Sequence, residues 1–147
     1  MASNTIAIAS DHAGYDLKSL IQKELEGRGL EVIDLGAHGT ESVDYPDYGR
    51  ALAEAIENGR AARGVAVCGS GVGISIAANR SPAVRAALCT DGLTARLARQ
   101  HNDANVLALG ARLVGVETAM DCLDAFLETE FEGGRHARRV AKLDAGC

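Results

Sequence analysis

At 147 residues the chain has room for one hydrophobic core and not for two. Apolar residues supply 47% of it while Trp is absent and aromatics are scarce, so the core must be built from β-branched strands packed under Ala- and Leu-rich helices. A net charge of −5, with both signs scattered along the chain, argues against broad attraction to nucleic acid or an acidic membrane and leaves any anion to a local basic cluster.

From the start of the chain, Met1 to Ser10 lack the basic region and apolar run of a secretory signal. No apolar stretch reaches the roughly 20 residues that span a bilayer. Short apolar runs then alternate with helical periodicity, the pattern of βαβ units. Strands are predicted at Thr5–Ala9, Glu31–Leu35, Gly64–Val67, Val84–Cys89 and Asn105–Leu109. Leu17, Leu20, Ile21 and Leu25 mark a first helix, and Tyr48, Leu52, Ala55 and Ile56 a second. Ile74, Ala77 and Ala78 give a short third helix, Leu93 to Arg99 a fourth, and Val116, Ala119, Met120, Leu123 and Leu127 one face of a fifth. A basic helix closes the chain over about 135–145. The unbroken hydrophobicity of Ile6–Ala9 and Val84–Leu88 predicts strands covered on both faces. With no repeat, linker or low-complexity tract, the expected architecture is a single α/β domain over 1–147: a doubly wound, Rossmann-like five-stranded parallel sheet with helices on both faces. Cys68, Cys89, Cys122 and Cys147 show no C-x-x-C spacing, which points to reduced thiols of a cytoplasmic protein and to no structural zinc.

Open α/β sheets bind ligands beyond the carboxyl ends of their strands. That rule gathers Ser10-Asp11-His12, the stretch Gly36 to Tyr45, Cys68 to Gly73, Thr90-Asp91 and Gly110-Ala111-Arg112 at one edge. The loop Cys68-Gly69-Ser70-Gly71-Val72-Gly73 is the most informative. Its three glycines let backbone N–H groups converge on one point, and a helix start adds partial positive charge. Such a cradle suits a phosphate, a nucleotide or a developing oxyanion. The dinucleotide pattern G-x-G-x-x-G fails because Ile74 occupies its last position, although Asp91 leaves a nucleotide reading open. Cys68 opens the loop; it is either a small apolar filler or a thiolate stabilised by the surrounding amides. A base beside an oxyanion hole is what proton abstraction next to a carbonyl needs. His12 serves either as a cap or in the site. His101, read as following the fourth helix, falls at the opposite end of the sheet from Cys68, so it would act at the Cys68 site only from a second subunit. Arg135 and Arg139 are one helical turn apart and suit either solvent or a phosphate dianion. His38 and His136 read as surface residues.

Together, Ser10-Asp11-His12-Ala13-Gly14, Asp44-Tyr45-Pro46, Cys68 to Asn79, Arg99-Gln100-His101-Asn102-Asp103 and Glu132-Gly133-Gly134-Arg135-His136 resemble the type B ribose-5-phosphate isomerases and their galactose-6-phosphate isomerase relatives. The resemblance runs over essentially the whole chain, and the Cys68–Asn79 stretch is its most specific part. It implies an aldose–ketose isomerase of phosphorylated sugars that uses no cofactor and no metal ligands. In this family pattern Cys68 moves the proton between C1 and C2, and His101 opens the furanose ring. Asp11 and Asn102 hold sugar hydroxyls, and the amides of Gly69, Ser70, Gly71, Val72 and Gly73 hold the enediolate. His12, Arg112, Arg135 and Arg139 bind the phosphate, and Tyr45 lines the pocket. Some members place a Glu base a few positions after this Cys, where the present chain has Ser75-Ile76. Many with a catalytic Cys have Thr where this chain has Ser70; both residues supply the hydroxyl for a proton shuttle between oxygens. The resemblance also implies a homodimer, or a dimer of dimers, with shared sites. Ribose 5-phosphate is the simplest substrate, with allose 6-, galactose 6- or a tetrose 4-phosphate as alternatives and a non-catalytic nucleotide or sugar-phosphate binding module as the rival from another class.

Overall fold

Among the described residues, five strands alternate with helices as the apolar runs predict, and a sixth helix follows the fifth. The computed structural model describes residues 4–146, and Cys147 lies outside them. In chain order the elements are β1 (Thr5–Ser10), α1 (Tyr15–Gly27), β2 (Glu31–Asp34), α2 (Tyr45–Glu57), β3 (Arg63–Cys68), α3 (Val72–Ala78), β4 (Ala86–Leu88), α4 (Gly92–Asn102), β5 (Val106–Gly110), α5 (Val116–Glu128) and α6 (Arg135–Asp144). The strands form one parallel sheet in the order β2-β1-β3-β5-β4. Among the described residues, no helix is long and apolar enough to cross a membrane.

Strand order fixes which face each helix covers, because parallel crossovers are right-handed. The chain moves outward from β1 to β2, reverses across the sheet to β3 and on to β4, then steps back to β5. Helices on outward and backward steps therefore share one face, and those on the forward steps share the other. The two apolar clusters follow this rule. Leu17, Ile21 and Leu25 of α1 pack with Ala95 of α4 and with Ala119, Cys122, Leu123 and Phe126 of α5 against Ile6, Ile8, Val65, Val67, Leu107 and Leu109. Leu52, Ala53 and Ala55 of α2 pack with Ile74 and Ala78 of α3 against Ala7, Ala9, Ala66, Cys68 and Val106. Alternate residues of the central strands thus face opposite clusters, as period-two geometry requires.

The structure alters several boundaries. β4 is three half-buried residues at the sheet edge, not a strand over Val84–Cys89 covered on both faces. The Arg85 N–H is taken by the Asn105 side-chain oxygen at 2.7 Å and the Val84 N–H by Ser81 O at 3.1 Å, so this backbone is bonded before the strand begins. α2 begins at Tyr45, with Pro46 in its first turn, where the missing N–H costs nothing. α4 continues through Asn102, which puts His101 inside its last turn rather than after it. Asp103, in the left-handed conformation (φ 46°), ends α4, and its carboxylate accepts from Arg99 at 2.8 Å and from Arg85 at 3.3 Å.

One buried charge holds the far wall of the sheet edge. Lys18 is 1% exposed on α1, and its ammonium donates to Asp34 Oδ1 at 2.6 Å and to Ala37 O at 2.7 Å. Asp34 Oδ1 also accepts from Gly36 N at 2.9 Å. The Gly36–Ala37 segment then exchanges two backbone bonds with Ser10, each 2.7 Å. Lys18 therefore clips the strand that ends at Ser10 to the loop leading toward Tyr45. Lys18→Met is expected to lower stability by about 1.5–3 kcal/mol, the range for losing a charge-assisted bond, with Asp34's partial exposure favouring the lower end. An unchanged denaturation midpoint would remove the clip from the account.

Candidate active site

The sheet reverses direction on either side of β3. The loop after β3 leaves toward the α2/α3 face, while the loops after β1 and β5 leave toward the α1/α4/α5 face. A crevice opens between them, the position where doubly wound sheets bind ligands. A cavity of about 540 Å³ lies there, lined by Asp11, Tyr45, Cys68, Gly69, Ser70, Val72, Gly73, Ile76, Arg112 and Leu113. Its size suits a small phosphorylated metabolite.

Cys68 ends β3 at the centre of this crevice. Its Sγ accepts the Gly71 N–H at 3.1 Å, buried from solvent on the protein side. Gly71 adopts φ 79°, and a Cβ there would stand 2.8 Å from the Leu109 carbonyl carbon. Only glycine can make that turn at that distance. Ser70 Oγ accepts the Val72 N–H at 3.2 Å, which leaves its own O–H free to donate. Among the described residues, the Gly69 and Ser70 N–H groups find no protein acceptor. The loop therefore presents a sulfur, a hydroxyl and spare amide donors to one small volume.

Asp11 and Arg112 flank the loop from the neighbouring strands. The Asp11 N–H donates to Val67 O at 3.2 Å, and its Oδ1 accepts the Gly14 N–H at 3.0 Å, which fixes a buried carboxylate beside Cys68. Arg112 donates its backbone N–H to Gly69 O at 2.9 Å, and its guanidinium lies along Gly69. Among the described residues that guanidinium has no acidic partner. It is a free cation at the rim, suited to a phosphate. Tyr45 lays its ring against Gly73, where a Cβ would meet the ring at 2.5 Å. His12 Nδ1 accepts the Val43 N–H at 3.1 Å, so the imidazole proton sits on Nε2.

Other residues singled out by the sequence are not brought to this cavity within one chain. His101 and Asn102 end α4, beside the start of β5, whereas Cys68 pairs with Gly110 at the end of β5. Four strand residues separate those ends, roughly 13 Å at the usual rise. Asn102 instead lines a groove of about 640 Å³ with Asn79, Arg85, Leu143 and Asp144. Arg135 and Arg139 are exposed on α6. His136 is buried at 7% exposure, not on the surface, because its ring stacks on His101. Its partner Glu132 lies four residues earlier, before α6 begins, and the local sequence carried no signal for the contact. Lys18, equally silent in the sequence reading, did have a signal: a lone cation in the apolar stripe Leu17, Ile21, Leu25.

With this geometry in place, the likeness to known proteins is decisive. A family described as Ribose/Galactose Isomerase matches residues 6–143. The chain belongs to that family. Ribose-5-phosphate isomerase B of Escherichia coli (strain K12) is 48% identical over 140 residues, covering 95% of this chain and 94% of that protein. D-erythrulose-4-phosphate isomerase of Pectobacterium atrosepticum is 44% identical, covering 95% and 92%. The solved structure of Clostridium thermocellum Ribose-5-Phosphate Isomerase B superposes with a TM-score of 0.94 at 56% identity, covering 96% of this chain and 95% of the other. The protein is an aldose–ketose isomerase of sugar phosphates.

The isomerase's buried thiols differ in kind. Burial pushes the Cys89 thiol up to about 12, with Cys122 and Asp91 adding to it, and burial pushes Cys122 up to about 11, with Asp121 and Asp91 adding. Both stay protonated and inert through neutral and mildly alkaline pH. Iodoacetamide at pH 8 is therefore expected to modify Cys68, which opens on the cavity, well before Cys89 and Cys122. Peptide mass mapping of the folded enzyme checks this, and faster labelling of Cys89 or Cys122 would contradict it.

Proposed function

We propose that the enzyme interconverts ribose 5-phosphate and ribulose 5-phosphate, with Cys68 as the base, in a site completed by a second copy of the chain. The single observation that carries this reading is the Cys68 sulfur held 3.1 Å from the Gly71 amide of a glycine cradle in which, among the described residues, the Gly69 and Ser70 N–H groups find no protein acceptor. A base and an anion-stabilising cradle on one loop suit proton transfer beside a carbonyl.

In this reading His101 of the second copy moves the proton that opens the furanose ring, and Asn102 and Asp11 hold the sugar hydroxyls. Arg112, Arg135, Arg139 and the Nε2–H of His12 hold the phosphate. The Cys68 thiolate takes the proton from C2 of the open aldose, and negative charge spreads onto O1 and O2. Gly69, Ser70, Gly71, Val72 and Gly73 supply the amides facing that charge. Ser70 relays a proton from O2 to O1, and the Cys68 thiol returns its proton to C1 to give the ketose. Every proton moves within the site, so the chemistry calls for no cofactor and no metal.

Sharing between two copies is supported by the strand-length separation of His101 from Cys68. It is supported also by large apolar side chains left exposed: Val72 and Ile76 on α3, Leu93 and Leu97 on α4, and Leu143 on α6. Such patches mark protein contacts. A homodimer in the cytoplasm is the simplest assembly that satisfies them.

Turnover of ribose 5-phosphate, allose 6-phosphate, galactose 6-phosphate and erythrose 4-phosphate, measured with EDTA present, is expected to be highest on the pentose. A different sugar in first place would move the enzyme to another substrate while keeping its chemistry. Loss of all activity in EDTA would overturn the metal-free mechanism. Cys68→Ala is expected to lose about 10²–10⁴-fold in rate while still binding substrate. Mixing it with inactive His101→Ala subunits should restore activity, to about a quarter of sites under two-fold symmetry. No recovery despite demonstrated subunit exchange would place both groups within one chain. Arg135→Ala or Arg139→Ala should raise the Michaelis constant at least about tenfold, the equivalent of one lost charge-assisted contact.

A further inference from the structure

His136 has no part in the chemistry above, yet it is the only residue of its helix turn held away from solvent. Its neighbours Arg135, Ala137, Arg138 and Arg139 are exposed, while His136 is 7% exposed. Its ring lies on that of His101, with centroids 4.5 Å apart and planes inclined by 15°. A backbone bond ties the segment before α6 to α4 beside the two rings. Glu132 Oε1 lies 3.5 Å from His136 Nε2, and the Glu132 N–H donates to the carbonyl of Gln100, next to His101, at 3.1 Å. Gly133 and Gly134, at φ 67° and 54°, make the turn that lets Glu132 face back onto α6.

His101, Glu132 and His136 bring their ligand atoms within 4.8 Å of one another, which raises chelation as a use for the cluster. The ring geometry speaks against it. An imidazole lone pair lies in the ring plane, and two nearly parallel stacked rings cannot both aim at one ion. What a stack does well is fix a ring's orientation.

The geometry points to His136 as a positioning residue that holds the His101 ring in the attitude needed to open the sugar ring. This inference rests on the proposed role of His101. A ring-opening acid/base must pass through the imidazolium, and a second cation stacked on it would oppose that step. His136 avoids the conflict. Burial first, then the charges of His101 and Arg135, push its imidazole down from the ordinary value, Glu132 pulls the other way, and Arg139 adds a small lowering. Those groups, from α4, α6 and the segment before α6, are the charges that face it. Near neutral pH the platform is therefore an uncharged aromatic face, against which a protonated His101 is tolerated.

The test exploits the fact that ribulose 5-phosphate cannot close a furanose ring, because its C5 oxygen is esterified. Exchange of its C1 hydrogen with deuterium from solvent needs the Cys68 step and no ring opening. In the assembled enzyme, His136→Ala is expected to lower turnover of ribose 5-phosphate at least about tenfold, the scale for a displaced acid/base. Its Michaelis constant and the C1 exchange rate of ribulose 5-phosphate should stay near wild type. His136→Phe, which keeps the stack, should recover much of the turnover. The His101 ring proton, shifted upfield by the stacked ring in wild type and in His136→Phe, should move downfield in His136→Ala. Equal loss of turnover and C1 exchange in His136→Ala, or no loss of turnover, would overturn the inference. Full turnover of ribose 5-phosphate by His101→Ala would instead sink the underlying role of His101, and this inference with it.

Discussion

The loop after β3 can fold over the end of β5 because neither Gly71 nor Gly110 carries a side chain. A Cβ on Gly110 would stand 2.5 Å from Ser70 O, and one on Gly71 would press on the backbone of Leu109 and Gly110. This backbone-to-backbone approach bends the chain back at Cys68, brings the Gly71 N–H to the Cys68 sulfur and turns the remaining amides into the crevice. Loosened by a methyl group at either position, the strand ends would part and the donors would no longer converge. The pairing of β3 with β5 fixes that approach from below, since Cys68 is in register with Gly110. The preorganised donors thus come from sheet geometry, the most rigid part of the molecule, at little cost in reorganisation.

The remaining site residues hang on this loop by separate polar anchors. Asp11 is fixed by Val67 and Gly14, Arg112 by Gly69, and His12 by Val43. The first two anchors run to β3 or to its loop, so the groups around the sulfur are placed relative to one strand. At the other end of the sheet a second set of anchors holds the end of α4: Arg85 donates to the carbonyls of Asn102 and Asp103 at 3.2 and 3.0 Å, and Arg99 to Ala104 at 2.7 Å. One chain therefore carries two separately anchored groups of polar side chains at opposite ends of its strands.

Much of this was legible in the sequence, for local reasons. The five apolar runs, the helical spacing between them and the glycine-spaced loop after Val67 are short-range patterns, and the sheet followed from them. The family resemblance rested on the same uninterrupted segments. What escaped was set by distant contacts. The early bonding of Arg85 depends on Asn105, some twenty residues on. The burial of His136 depends on where α6 lands on α4, and the burial of Lys18 on the Asp34 carboxylate at the end of β2 and the Ala37 carbonyl just after it. His136 reads as solvent-facing because local pattern carries no information about the partner that buries it. The extension of α4 through His101 was missed because Arg99 to Asp103 is polar throughout, and its helical state rests on Arg99 and Asp103 bonding across one turn.

The contrast between the two walls of the crevice bears on how such an enzyme diverges. The wall that carries sulfur and amides leaves no room for a Cβ at Gly71 or Gly110, so substitution at those two positions is penalised at once. The segment from Ala37 to Tyr45, which brings the Tyr45 ring to the cavity, is clipped at its start by Lys18 and leans by that ring on Gly73. Insertions, deletions and exchanges between those two attachment points fall outside the glycine contacts that shape the loop after β3. A lineage can in this way vary the approach to the cavity while the tightest backbone contacts of the fold stay as they are.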